Sequence, residues 1–164
     1  MEQSISLATD VQADIEDVFE AVSTTAGQRS FWTVDCDVSA DRARFGFPQA
    51  PVDLEVDVTA RPGSLVRMRV TSGFPFWDGS TWEWELGAAL RAETGTNVMF
   101  RHYGFGDGYP EADLAFTAQL WASILDRPMS SPGPTSPVDA GRRRWASLGG
   151  SPDRAEGNSA MRTC

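Results

Sequence analysis

Lysine is missing from this chain: all 14 basic residues are Arg, so Schiff-base and other lysine chemistry is excluded. Histidine occurs once, as His102. Cysteine occurs twice, as Cys36 and Cys164, too few and too far apart for metal-ligand spacing within one chain, so neither a metal nor any other cofactor is expected. Positive charge is also scarce. With 23 Asp and Glu the net charge is −9, which repels nucleic-acid phosphate and anionic membrane surfaces, and neither is expected as a partner. No apolar run approaches the roughly 20 residues of a membrane span. The opening Met1-Glu2-Gln3 lacks the basic flank and apolar core of a secretory leader, so a cytoplasmic protein is the expectation. A nucleophile elbow, a glycine-rich phosphate loop and a paired-carboxylate motif are all absent, which is the main case against an enzyme; no catalytic residue is assigned.

Aromatic rings are plentiful, and they concentrate between Phe74 and Phe105. The bend Phe74-Pro75-Phe76-Trp77-Asp78-Gly79 leads into Ser80 to Leu86, where Trp82, Trp84 and Leu86 alternate with Thr81, Glu83 and Glu85. A second run sets Val98, Phe100 and His102 against Met99, Arg101 and Tyr103. Each strand has one apolar and one charged face, and the turn residues Glu93 to Asn97 between them predict an antiparallel hairpin with its rings turned inward.

Taken in order, Ile5 and Leu7 open a first strand. Asp14 is placed to cap a helix whose apolar positions Ile15, Val18, Phe19 and Val22 follow the 3.6-residue period. It ends or bends at Ser23 to Gly27, with a short helical turn to follow, and Phe31-Trp32 then begins a β stretch through Val34, Cys36 and Val38. Ala43 to Phe47 forms a further strand. Next come Leu54, Val56 and Val58 against Asp53, Glu55 and Asp57, then Val66, Met68 and Val70 against Arg67 and Arg69. With the two aromatic strands these make four whose outward charges read acidic, basic, acidic, basic. Opposite charges then face each other across a meander, setting its order and register; each exposed pair contributes about 0.2–1 kcal/mol. Glu83 and Glu85 are read here as a solvated face paired with Arg.

A last helix is predicted over residues 111–127, with Leu114, Leu120, Trp121, Ile124 and Leu125 on its apolar stripe and Phe116 on a flank. Pro128 stops it. At 164 residues and 41% hydrophobic the chain has length for one domain, expected over 1–127. The Pro/Ser/Gly/Arg-rich remainder, 128–164, buries too little to offset its ordering entropy and is expected to be disordered. Its Arg142-Arg143-Arg144 run reads as a solvated tail.

The ordered set of elements resembles the START-like (SRPBCC) helix-grip superfamily, and within it the homologues of the activator of heat-shock protein 90 ATPase. Carrying the resemblance are Val11 and Ala13 leading into Val18-Phe19 and Ala21-Val22, then Phe31-Trp32. Next are Phe76-Trp77, Gly79, Trp84 and Leu86 in the bend and strand, and Gly95-Thr96, Val98, Phe100, His102 and Gly104-Phe105 in the next strand. Trp121, Ile124 and Leu125 on the last helix complete the set. It spans about residues 4–127. The resemblance implies an α+β fold in which a curved antiparallel sheet wraps around a long C-terminal helix, with an elongated apolar cavity between. It also implies that members bind hydrophobic small molecules, act as polyketide cyclase/dehydratase-like enzymes, or assist chaperones. One departure stands out. Pro128, Pro132 and Pro134 halt the last helix a turn or two short of the family's usual length.

The candidate ligand-binding wall is Trp32, Phe45, Phe47, Met68, Trp77 and Trp82, continued by Trp84, Phe100, Phe105, Phe116, Leu120 and Trp121. Rings this numerous fill a core by ordinary packing as readily as they line a hollow. His102 would point inward beside Phe100. A lone inward histidine is most often bonded to a neighbour within the core; it also suits a ligand's carbonyl or hydroxyl, or general-base work. The function expected is binding of a hydrophobic or amphipathic small molecule between sheet and last helix, with His102 orienting it. The alternatives are an adaptor that stimulates a chaperone ATPase through its outer face, and a cyclase using His102. Monomer and homodimer both remain open.

Overall fold

The computed structural model of the protein describes residues 3–129. Seven strands form one antiparallel sheet: β1 (Ser4–Val11), β2 (Asp35–Val38), β3 (Arg42–Gly46), β4 (Leu54–Arg61), β5 (Leu65–Ser72), β6 (Thr81–Ala88) and β7 (Thr96–Tyr103). Their order is β1-β7-β6-β5-β4-β3-β2, so β2 to β7 run as a continuous meander and β1 closes against β7. Helices α1 (Ile15–Ser23) and α2 (Thr25–Phe31) follow β1, and α3 (Glu111–Leu125) follows β7. The expectation of disorder over 128–164 lies outside the described residues except at Pro128 and Met129, and Met129, 1% exposed, belongs to the core.

The charge alternation sets the register as expected. Asp57 pairs with Arg69 across β4 and β5, Arg67 with Glu83 across β5 and β6, and Glu83 with Arg101 across β6 and β7. The opposite faces supply the core: Leu54, Val56 and Val58, then Val66, Met68 and Val70, then Trp82, Trp84 and Leu86, then Val98 and Phe100. One charged position departs from expectation. Glu83 is not solvated: its side chain is 8% exposed, against 55% for Glu85. On a central strand it is overlaid from both neighbours. The Arg67 guanidinium donates to its Oε2 at 2.9 Å, the Tyr103 hydroxyl donates to the same oxygen at 3.3 Å, and Arg101 lies 3.9 Å from Oε1.

Two local readings are also corrected. Phe31 and Trp32 do not open a strand, because α2 runs through Phe31 and β2 begins only at Asp35. The cause lies at Thr24, whose hydroxyl accepts from the Gly27 N–H and so starts a second helix that carries the expected short helical turn on through Phe31. Gly27 lets that helix lie on α1, since a Cβ there would collide with the Ala21 backbone. Asp14 does stand at the N-cap of α1, but its carboxylate makes no capping bond; Glu16 and Asp17 supply the acidic first turn.

Removing Glu83 strips Arg67 and Tyr103 of their acceptor and Arg101 of a nearby counter-charge, whereas Glu85 is a half-exposed ion pair. Glu83→Ala should therefore lower the unfolding free energy by about 1–3 kcal/mol, and Glu85→Ala by less than about 1 kcal/mol, both measured by urea denaturation.

Candidate functional site

Trp121 is the centre of the space between sheet and helix. It projects from the third turn of α3 and lies among six rings. Phe100 is 4.5 Å away by ring centroid, Trp32 5.3 Å, Trp82 5.7 Å, Trp77 5.8 Å, Trp84 5.9 Å and His102 5.9 Å. Trp82 and Trp84 reach it from β6, Phe100 and His102 from β7. Trp32 comes from the end of α2 and Trp77 from the β5–β6 bend. Trp77 stacks nearly parallel to Trp121, at 15°, while Trp84 meets it edge-on at 83°. The elongated cavity implied by the resemblance is thus occupied by the chain's own side chains.

His102 is fully buried, and its bonds fix its tautomer. The Trp121 Nε1–H donates to Nδ1 at 3.0 Å. An indole nitrogen has no lone pair to offer, so Nδ1 must be the acceptor and Nε2 carries the proton. Nε2 then donates to Ser80 Oγ at 2.9 Å, and the Ser80 hydroxyl donates to the Trp77 carbonyl at 2.6 Å. One directed chain of hydrogen bonds thus ties α3, β7 and the β5–β6 bend together. Phe105 covers the imidazole at 4.4 Å and itself stacks on Tyr109, whose hydroxyl meets Thr117 Oγ1 at 3.1 Å. Burial holds the imidazole pKa down from 6.5 to about 3. Both ring nitrogens are engaged, and the ring stays neutral at ordinary pH. As it stands, His102 is a structural acceptor and a poor general base.

Of the expected wall, Trp32, Phe45, Met68, Trp77, Trp82, Trp84, Phe100, His102 and Trp121 are brought together in the core. Phe47, Phe105 and Leu120 are partly buried at its margin. Phe116 is not part of it. At 70% exposure it lies on the outer side of α3, because five residues before Trp121 is about 140° round the helix. The true inner stripe is Leu114, Thr117, Ala118, Trp121, Ile124 and Leu125. Ser80 and Thr117 were missed, though both carried a signal. Ser80 shares strand parity with Trp82, and Thr117 sits one turn before Trp121. Phe74 was missed as well. With Phe47 at 5.8 Å and the half-exposed Phe76 stacked on it at 5.3 Å, it carries a file of rings from Trp32 to the surface.

Three side chains in this layer are incompletely satisfied. The indole N–H groups of Trp77, Trp82 and Trp84 are buried with no hydrogen-bond partner among the described residues. Each such donor costs about 1–3 kcal/mol. A polar concavity of about 480 Å³ lies elsewhere, at the β2–β4 edge between Asp37, Arg42, Arg44, Glu55 and Asp57, and includes none of the expected site residues. Among the described residues no group of His, Cys, Asp and Glu could hold a metal ion, and no helix is long and apolar enough to cross a membrane.

No family model and no curated protein matches the chain. Solved structures do. The Aha1 dimer from Colwellia psychrerythraea is similar at a TM-score of 0.62 and 20% identity, over 75% of this chain and 90% of that one. CalU16 from Micromonospora echinospora is similar at 0.57 and 17%, over 90% and 88%. DynU16, from the dynemicin biosynthetic locus, matches at 0.57 and 14% over 77% of this chain and 49% of that one. Together with the sheet and α3, these likenesses establish the α+β helix-grip, START-like fold that the sequence resemblance implied.

The buried imidazole makes stability depend on pH. Unfolded, His102 takes up a proton near pH 6.5; folded, it does so only near 3, so between these values the folded state binds fewer protons. Stability is full above the unfolded value and is lost as pH falls below it, at about 1.4 kcal/mol per unit, levelling off near the folded value. Wild type should lose about 2 kcal/mol between pH 7.5 and 5.0 in urea titrations, a loss that His102→Gln should largely abolish.

Proposed function

We propose that the layer between the sheet and α3 binds a neutral hydrophobic small molecule carrying hydrogen-bond acceptors. The observation that carries this reading is the set of three buried indole donors at Trp77, Trp82 and Trp84, which have no partner among the described residues. Packing alone needs rings here, and phenylalanine would supply them without the unpaired donors. Tryptophan at all three positions makes sense where a guest's carbonyl or ether oxygens accept those bonds. Among the described residues the one buried charged side chain is Glu83, on the opposite face of the sheet, so the inner layer has no charge with which to balance a charged guest. The file of rings from Phe76 through Phe74 and Phe47 to Trp32 makes the apolar layer continuous with the surface.

The adaptor reading rests on the fold alone. Arg67, on the face it would use, is already clamped to Glu83. The cyclase reading asks His102 for a free nitrogen, and both are engaged.

Equilibrium dialysis of the full chain against a panel of neutral aromatic and aliphatic compounds, with native mass spectrometry of the bound fraction, tests the proposal. At least one acceptor-bearing compound should bind. Trp82→Phe and Trp84→Phe should each weaken it about ten-fold, while unfolding free energy moves by only about 1 kcal/mol, relief of the unpaired donor offsetting the lost ring volume. Failure of the whole panel to bind would overturn the reading.

A further inference from the structure

Any guest in this layer needs the space that Trp121 fills. Resting on the small-molecule reading above, we infer that the Trp121 indole occupies the guest's own ring site, and that the guest is a neutral, planar, bicyclic aromatic with one hydrogen-bond donor and at least one acceptor. The side chain serves as a built-in plug, and its shape and polarity describe what replaces it.

Three features carry the inference. The ring site is bounded by six rings with centroids 4.5–5.9 Å from the Trp121 ring, which selects a flat guest of about indole size. At one edge is His102 Nδ1, the lone pair of a buried neutral imidazole, which now receives the Trp121 N–H at 3.0 Å. Whatever displaces Trp121 must bring its own donor or leave that acceptor unpaired in the core. Trp77, Trp82 and Trp84, each within 5.9 Å of the Trp121 ring by centroid, hold the three unpartnered donors, which call for an acceptor on the incoming molecule and find none on an indole. Trp121 therefore satisfies the ring and donor requirements of its site and leaves the acceptor requirement unmet. A guest that meets all three has the differential affinity needed to displace it.

The loop that leads into the helix carrying the plug is rich in glycine. Gly104 and Gly108, flanking Phe105 in the β7–α3 loop, have φ of +77° and +82°, and a Cβ at Gly106 or Gly108 would meet nothing within 4 Å. Along α3 the buried positions gather toward the C-terminal half, at Thr117, Trp121, Ile124 and Leu125, while the first two turns are only partly covered.

Isothermal titration of the full chain with 2-quinolone, a neutral bicyclic ring with one N–H and one carbonyl, tests this against two comparators, N-methyl-2-quinolone and decanoate. Wild type should bind 2-quinolone, bind the N-methyl compound about ten-fold more weakly for want of a donor to His102, and leave decanoate unbound. Trp121→Phe, which keeps a ring but gives up the competing N–H, should bind 2-quinolone three- to ten-fold more tightly than wild type. If Trp121→Phe binds it equally or more weakly, Trp121 is a wall of the site and not its plug, and the small-molecule reading stands without this inference. Equal binding of the two quinolones overturns the donor assignment at His102, and absence of 2-quinolone binding to both proteins overturns the inference altogether.

Discussion

The contact on which this fold depends is a single indole driven from α3 into the concave face of the sheet. Burying a ring of that size removes roughly 150–250 Å² from water, worth about 4–6 kcal/mol before ordering entropy. α3 offers no comparable anchor elsewhere. Its flank residue Phe116 faces solvent, and its first two turns are only partly covered. The Trp121 N–H bond to His102 adds direction to that burial, since it fixes which way round the ring lies and, through Ser80, ties the helix to the aromatic bend at Trp77. Seating the helix and organising the β5–β6 bend are in this sense one event.

Much of this was legible in the residues. Period-two alternation marked β4 to β7, and the charges on their outer faces ordered them correctly. Exchanging an acidic strand with a basic one would set Arg beside Arg or carboxylate beside carboxylate. The cluster of rings was equally plain, because residues of one strand parity share a face whatever the tertiary structure does. Less legible were features that depend on what lies across from a residue. Glu83 and Glu85 look identical in sequence, yet one sits beneath Arg67, Arg101 and Tyr103 and the other at the open side. Phe116 and Trp121 both look like core residues of an amphipathic helix. Only the rotation of α3 about its axis decides between them, and a helix this apolar around its circumference does not encode that rotation strongly.

The interior fill was the least legible property of all. A curved sheet lined with tryptophans leaves a hollow or closes one depending on a single side chain of the opposing helix, and composition does not distinguish the two. Here the long reach of Trp121 decides it. A smaller residue at this position would leave a space bounded by the same six rings.

That near-balance gives meaning to the unpaired indole donors. Three buried N–H groups at about 1–3 kcal/mol each are a heavy load against the 5–15 kcal/mol by which a domain of this size is stable. Edge-on packing recovers part of it, because a donor pointed at a ring face retains some attraction, but such contacts are weaker than bonds to oxygen. Sequences that fold without conflict avoid this load, and departures from local satisfaction concentrate where a surface is shaped for something other than itself. A fourth buried atom without a partner among the described residues, Gln28 Oε1, lies on α2, but the three indole donors fall together. Trp77, Trp82 and Trp84 all ring the one side chain that would have to move for anything to enter, and the remaining polar atom at that spot, His102 Nδ1, is satisfied only while that side chain stays. Donors lacking acceptors on one side and an acceptor borrowing its donor from the plug on the other are complementary needs, and a molecule able to meet both gains from exchange what neither the helix nor the sheet can provide alone.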